Sequence, residues 1–133
     1  MAHEQLFDDD DPALAQVRRL AFALPDAAEK ISHGRPAFFT KKVFAVYGGS
    51  IKVEGGWVQY PQSLLILPDP NEREALKRDD RFYVPGYWGP WGWLALHLHQ
   101  HTDWQEVAEL LEDSYRQTAA PRSIAQLGTI SDP

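Results

Sequence analysis

The sequence contains no cysteine, a single methionine and no long hydrophobic run. The absence of cysteine excludes disulfide bonds and thiolate metal sites, and it is typical of domains that fold in a reducing compartment. No apolar run approaches the roughly 18–20 residues that a membrane-spanning helix needs. The first 11 residues are acidic, whereas a secretory signal is basic and then apolar. We therefore expect a cytoplasmic protein without a membrane partner.

The sequence does contain enough apolar material for one hydrophobic core. Its 133 residues are 44% hydrophobic and 12% aromatic, with five tryptophans. This length is close to that of a typical single domain. We predict one domain over residues 12–120, preceded by a flexible acidic arm (residues 1–11) and followed by a poorly ordered tail (residues 121–133).

Negative charge is concentrated at the start of the chain. The net charge is −6, but residues 1–11 hold five carboxylates and no lysine or arginine, so the remaining 13 basic and 14 acidic residues nearly balance. Five basic residues and no acidic one occur between positions 30 and 52. Nucleic-acid phosphates require a basic surface of this kind, so the net charge alone does not exclude a nucleic-acid partner.

Three segments have the start signals of helices. Asp11 and Asp69 are suitable caps followed by proline at the first helical position, and Thr102 to Gln105 form a capping box. In the first and third segments apolar residues recur at three- and four-residue spacing, most clearly after Trp104. We predict helices over residues 12–24, 70–78 and 103–118.

Between the helices lie short apolar segments that are typical of strands. They cover residues 37–39, 43–47, 51–53, 57–60, 64–67, 82–84 and 94–99. The glycine pairs at 48–49 and 55–56 are interpreted as hairpin turns. Because strands and helices do not alternate, the order predicts an α+β fold, an antiparallel sheet backed by helices on one side.

Six short motifs resemble, in order, those of the MmcQ/YjbR family. They are LPDAAE at 24–29, HGRPAF at 33–38, KVFA at 42–45, YVP at 83–85, GWL at 92–94 and DSYR at 113–116. The resemblance covers roughly residues 13–122. It implies a helix-backed antiparallel sheet of the "double-wing" type that is often labelled DNA-binding.

Two groups of residues are candidate binding sites. Basic side chains beside aromatic ones are typical of nucleic-acid contact, which makes Arg35, Lys41, Lys42 and Lys52 the candidates for binding DNA. The alternative is a small molecule or protein partner at the aromatic loop (residues 85–93), where Tyr87, Trp88 and Trp91 are the candidate contacts. Ordinary surface charge and core packing would produce the same two patterns.

A metal site and a catalytic site have weaker support. His97 and His99 would lie on one face of a strand and are a weak candidate pair for zinc, but three or four ligands are needed and no cysteine can supply them. Ser114 has no recognisable base, and no phosphate-binding loop or nucleophile elbow is present. We expect a non-enzymatic binding domain without a cofactor or metal.

Overall fold

The computed structural model describes residues 5–131, with side chains described for residues 5–127. Within these residues the chain forms four helices and one six-stranded sheet. The helices are α1 (Pro12–Phe22), α2 (Pro70–Lys77), α3 (Trp104–Thr118) and α4 (Pro121–Ser131). The strands are β1 (Ala28–Ser32), β2 (Arg35–Phe39), β3 (Val43–Val53), β4 (Gly56–Ile66), β5 (Phe82–Tyr83) and β6 (Leu94–His97). The strand order is β1-β2-β3-β4-β6-β5, and every neighbouring pair is antiparallel. The predicted α+β class is confirmed.

α1 and α2 begin where the sequence predicts, and α3 begins one residue later than predicted. The carboxylate of Asp11 accepts a hydrogen bond from the Ala13 N–H, and Asp69 caps α2 in the same way. Asp103 accepts from two N–H groups at the start of α3. Each carboxylate satisfies amides that have no partner within the helix and complements the positive end of its dipole.

The main core lies between the sheet and the helices. Leu14 and Val17 of α1, Leu111 and Tyr115 of α3, and Leu127 of α4 are buried in it. A bulge in β3 adds to this face, because Phe38 pairs with Ala45 and Phe39 with Val43, which leaves Phe44 as an extra residue. Phe44 packs edge-on against Tyr115, with ring centroids 5.4 Å apart. The expectation of helices on one side of the sheet is confirmed.

The central hairpin is longer than predicted. β3 and β4 each run for 11 residues, and their tip is at residues 54–55. The interpretation of Gly55 as part of a hairpin turn is confirmed, but Gly48 and Gly49 lie within β3 and do not form a turn. The β3–β4 register shifts beside them, between the Tyr47–Leu64 and Gly49–Tyr60 pairs. Glycine inside a strand often marks such an irregularity.

β1, the first strand of the first hairpin, was not predicted, because residues 28–32 show no hydrophobic alternation. The two-residue turn of this hairpin consists of His33 and Gly34, with φ values of 53° and 83°. Positive φ at both positions is characteristic of a type I′ turn, which matches the twist of the strands on either side.

Both chain ends differ from the prediction. Residues 5–11 are not a free arm: Phe7 packs on the core, and Asp9 pairs with Arg18 at 2.8 Å. Residues 121–131 form α4 instead of an irregular tail, because Leu127 is buried and Ser123 Oγ donates to the Asp26 carboxylate at 2.8 Å. Residues 1–4, 132 and 133 lie outside the described residues. No helix in the described part of the chain is long and apolar enough to cross a membrane.

Candidate ligand-binding cavity

The face of the sheet opposite the helices is covered by the aromatic loop. A second, smaller apolar cluster forms there, with Val46 and Leu65 from the sheet under Trp93. Trp88 packs against Trp93 with their ring centroids 4.8 Å apart. Ala95 of β6 is fully buried on this face. β6 is therefore buried on both faces, because the loop shields the face that would otherwise meet solvent.

The loop does not cover the sheet completely, and a cavity of about 530 Å³ remains beside it. Its floor is β3 from Val46 to Ser50, one wall is the β1–β2 turn, and the other is Trp57 with the start of the aromatic loop. Leu6 also lines it and is fixed by a 2.9 Å hydrogen bond from its N–H to the Gly34 carbonyl. Each wall comes from a different part of the chain, so the cavity depends on the tertiary fold.

Arg35 is the charged side chain of this cavity. It is 8% exposed, and its Nη2 donates to the Gln59 Oε1. Its Nη1 is buried and makes no hydrogen bond within the described protein. Burial lowers the pKa of Arg35 from its usual value. Buried arginines are ordinarily paired, because an unpaired buried donor retains its desolvation penalty.

Three glycines make room for these side chains. A Cβ at Gly48 would collide with Arg35 Nη1, and the φ of +91° there disfavours any other residue. A Cβ at Gly49 would lie 2.6 Å from the Tyr83 hydroxyl. A Cβ at Gly86 would lie 2.5 Å from Trp57. The guanidinium, the phenol and the indole therefore occupy space that only glycine leaves free.

Aromatic side chains form the outer walls. Trp57 is 52% exposed and Tyr87 is 67% exposed. Tyr87 has a φ of +69°, which is uncommon for a large residue, and its ring lies 5.5 Å from that of His33 across the cavity mouth. Strained backbone of this kind is concentrated at ligand sites and switch regions.

The four predicted DNA-contacting residues are not brought together. Arg35 is inside the cavity, whereas Lys41 and Lys42 are exposed in the β2–β3 turn. Lys52 is near the other end of β3, ten residues from Lys42 along an extended strand, a separation of about 30 Å. It lies 5.9 Å from the centre of the Trp57 ring. A single basic face composed of these four residues is not formed.

Of the three predicted aromatic contacts, two line the cavity and one does not. Tyr87 and Trp88 line the cavity. Trp91 is 77% exposed on a 3₁₀ turn (Gly89–Trp91) and is not among the cavity residues. Trp88 is half-buried because its ring also packs on Trp93.

The histidines do not lie along one strand. β6 ends at His97, whose ring packs between Tyr60 and Tyr83, and burial lowers its pKa. His99 and His101 lie in the following turn, where the His101 N–H donates to His99 Nδ1 at 3.0 Å. Among the described residues, no group of three or more His, Cys, Asp or Glu side chains is placed to hold a metal ion.

Ser114 has a structural role. Its hydroxyl donates to the Phe44 carbonyl and accepts from the Leu67 N–H at 2.8 Å. Tyr115 donates to the Pro25 carbonyl at 2.7 Å. Ser114 and Tyr115, the middle residues of the DSYR motif, therefore join α3 to the sheet and to the α1–β1 connection.

A second cavity, of about 420 Å³, lies at the N-terminus of α1. Asp11 lines it, but its carboxylate already accepts hydrogen bonds from the Ala13 N–H, the Tyr47 hydroxyl and the Gln62 amide. These partners satisfy the buried carboxylate. Arg35 in the larger cavity has a buried donor without such a partner.

Sequence reasoning missed Trp57, Gln59 and the glycine floor of the larger cavity. The Gly48-Gly49 pair was the available signal, because glycine within an apolar strand also marks a place where another group approaches the backbone closely.

Comparisons with known proteins identify the family. No curated protein matches the sequence. The crystal structure of the Deinococcus radiodurans protein DR2400, which has a DUF419 domain, is similar with a TM-score of 0.58 and 16% identity, over 86% of this chain and 87% of that chain. At this identity the similarity shows the fold alone. The YjbR family model matches residues 22–117, which is more than half of the chain. The chain therefore belongs to the YjbR family.

Proposed function

We propose that this protein is a binding domain that holds a small molecule between the sheet and the aromatic loop. The observation that carries the proposal is the cavity of about 530 Å³ with apolar walls and one buried polar group, Arg35. Ligand sites are generally concave and mostly apolar, with a few polar groups that fix the orientation of the ligand, and their volumes are about 300–1,000 Å³. This cavity agrees with that description in size and in chemistry.

Several contacts hold the walls of the cavity in place before a ligand binds. The Gly86 N–H donates to the Ser50 carbonyl at 2.7 Å, which fixes the aromatic loop above β3. Trp88 is held by Trp93, and the orientation of Arg35 is held by Gln59. A preformed site loses less side-chain entropy when a ligand binds.

We propose binding and not catalysis as the role of this site. The described residues that line the cavity include Arg35 and His33 but no Asp or Glu. Acid–base catalysis by a pair of carboxylates therefore has no candidate groups among them.

The test is a ligand-observed NMR screen with neutral, anionic and cationic aromatic fragments. Ser50→Phe places a ring in the cavity, since Ser50 lines its floor. Fragments that bind the wild-type chain are expected to lose their saturation-transfer signal with this variant.

The matched control is Val53→Phe. It adds the same ring to β3 at an exposed position outside the cavity, so it should leave fragment binding unchanged. The proposal is wrong if no fragment binds the wild-type chain, or if binding to Ser50→Phe equals that of the control.

A second candidate is contact with nucleic acid at the β2–β3 turn. Lys41 and Lys42 are adjacent and exposed there, and none of the ion pairs between described residues involves either of them. Such a pair could neutralise two phosphates. Arg35 has no part in this candidate, because its guanidinium is enclosed in the cavity.

A further inference from the structure

The ligand class of the cavity follows from the surroundings of Arg35, and this inference rests on the proposed function. More than nine-tenths of Arg35 is buried, and Arg35 is one of the residues that line the cavity. Gln59 accepts a hydrogen bond from Nη2, and Nη1 is buried without a hydrogen-bond partner among the described residues. The guanidinium therefore retains N–H donors that the described protein does not satisfy.

No acidic group in the described structure balances the charge of Arg35. None of the residues lining the cavity is Asp or Glu, and none of the ion pairs in the described part of the chain includes Arg35. Tyr83 acts on Arg35 electrostatically, but burial raises the pKa of its phenol to about 12, so the phenol is neutral at pH 7. Arg35 therefore lies in this cavity without an acidic partner among the described residues.

Glycine at position 48 leaves room for the Arg35 guanidinium. Gly48 is the residue whose Cβ would collide with Nη1, so the charged group lies directly over the backbone of β3. Trp57 and Trp88 line the same cavity and offer flat apolar surfaces. A ligand that satisfies all three groups has a negative end and a flat apolar body.

We propose that the cavity binds a small organic carboxylate, whose oxygens accept hydrogen bonds from the Arg35 guanidinium while its planar apolar body packs against Trp57 and Trp88. Arginine suits this role because its N–H groups match the geometry of a carboxylate. The neutral form of the same molecule would leave the buried charge without a counter-ion.

The experiment compares two probes of nearly equal shape, indole-3-acetate and indole-3-acetamide, by isothermal titration at pH 7 and physiological salt. Hydrogen bonds to a charged group predict that the acid binds the wild-type chain about tenfold to a hundredfold more tightly than the amide. In Arg35→Met the ratio is expected to fall to about one, because the variant keeps the apolar stem and removes the charge.

Lys52→Met is the matched control. It removes one positive charge near Trp57 from a side chain outside the cavity lining, so the wild-type ratio should persist. Equal affinities of acid and amide for the wild-type chain would overturn the carboxylate inference, and this comparison requires no variant to fold. In that case, fragment binding that Ser50→Phe abolishes would still support the proposed function. If Ser50→Phe abolishes no fragment binding, the proposed function itself fails.

Discussion

At the scale of single residues, buried phenols with hydrogen-bond partners connect distant parts of the chain. Tyr47 donates to the Asp11 carboxylate, which caps α1, and Tyr83 shares a 2.7 Å hydrogen bond with Ser63. Burial raises the pKa of both phenols, and the hydrogen bond to Asp11 adds to the rise at Tyr47. The sequence placed Tyr47 in an apolar strand, but its partner is 36 residues away and no local pattern indicates it.

Tyr83 predicts a loss of stability at high pH. Its pKa is about 12 in the folded chain against 10.0 in the unfolded chain, so its contribution is fully present below pH 10 and is lost as the pH rises to 12. In Tyr83→Phe the free energy of unfolding should fall less steeply between pH 10 and 12. The slope against pH should differ from that of the wild-type chain by up to about 1.4 kcal/mol per pH unit, which corresponds to one proton.

Urea denaturation at pH 9, 10, 11 and 12 measures this slope for both chains. Tyr47 is present in both, so its own contribution cancels in the comparison. Identical slopes would contradict the raised pKa of Tyr83.

At the scale of elements, the three helices with capping residues were predictable from the sequence. β1 and α4, which are stabilised by contacts with other elements, were not. α1, α2 and α3 each begin directly after a capping aspartate, and α1 and α3 also carry apolar residues at helical spacing. β1 is an edge strand with no hydrophobic alternation, and it forms because the His33–Gly34 turn returns it along β2. α4 is held by tertiary contacts through Leu127 and Ser123.

The position of α4 leads to a stability prediction. Leu127 is 4% exposed, so Leu127→Ala should lower the free energy of unfolding by about 2 kcal/mol, at the small end of the range for buried leucine because α4 lies at the periphery of the core. Chemical denaturation monitored by tryptophan fluorescence gives the value.

The matched control is Gln126→Ala, an exposed position one residue earlier on α4. Its effect should stay within about 0.5 kcal/mol, as for most surface substitutions. An equally small effect of Leu127→Ala would mean that α4 does not pack on the core in solution.

At the scale of the whole molecule, the distribution of charge limits where nucleic acid could bind. The net charge of −6 opposes association with phosphate, and the predicted basic cluster is dispersed. Within the acidic N-terminal segment, Asp9 pairs with Arg18 and Asp11 caps α1. The exposed lysines Lys41 and Lys42 are therefore the candidate contacts for a phosphate backbone.

Fluorescence anisotropy with labelled duplex DNA tests whether Lys41 and Lys42 bind nucleic acid. Neutralising two phosphates predicts weak binding, with a slope of about −1.8 in the logarithm of affinity against the logarithm of salt concentration. The double variant Lys41→Ala, Lys42→Ala should abolish it. A control with the same change in net charge, Lys52→Ala with Lys77→Ala, should retain it. Equal loss in both variants, or no binding at low salt, would reject the β2–β3 turn as a nucleic-acid site.

The sequence by itself determined the fold class, the three capped helices and most of the strand segments, because caps, turn residues and hydrophobic periodicity act over a few neighbouring residues. It also made Arg35 a candidate contact for DNA, together with the lysines, and Tyr87 and Trp88 candidate contacts for another partner. Only the tertiary structure decided that Arg35 faces inward over Gly48, beside Gln59 and below the aromatic loop. Whether a charged side chain meets water or a cavity depends on strand pairing and loop position, and these are contacts between residues far apart in the chain.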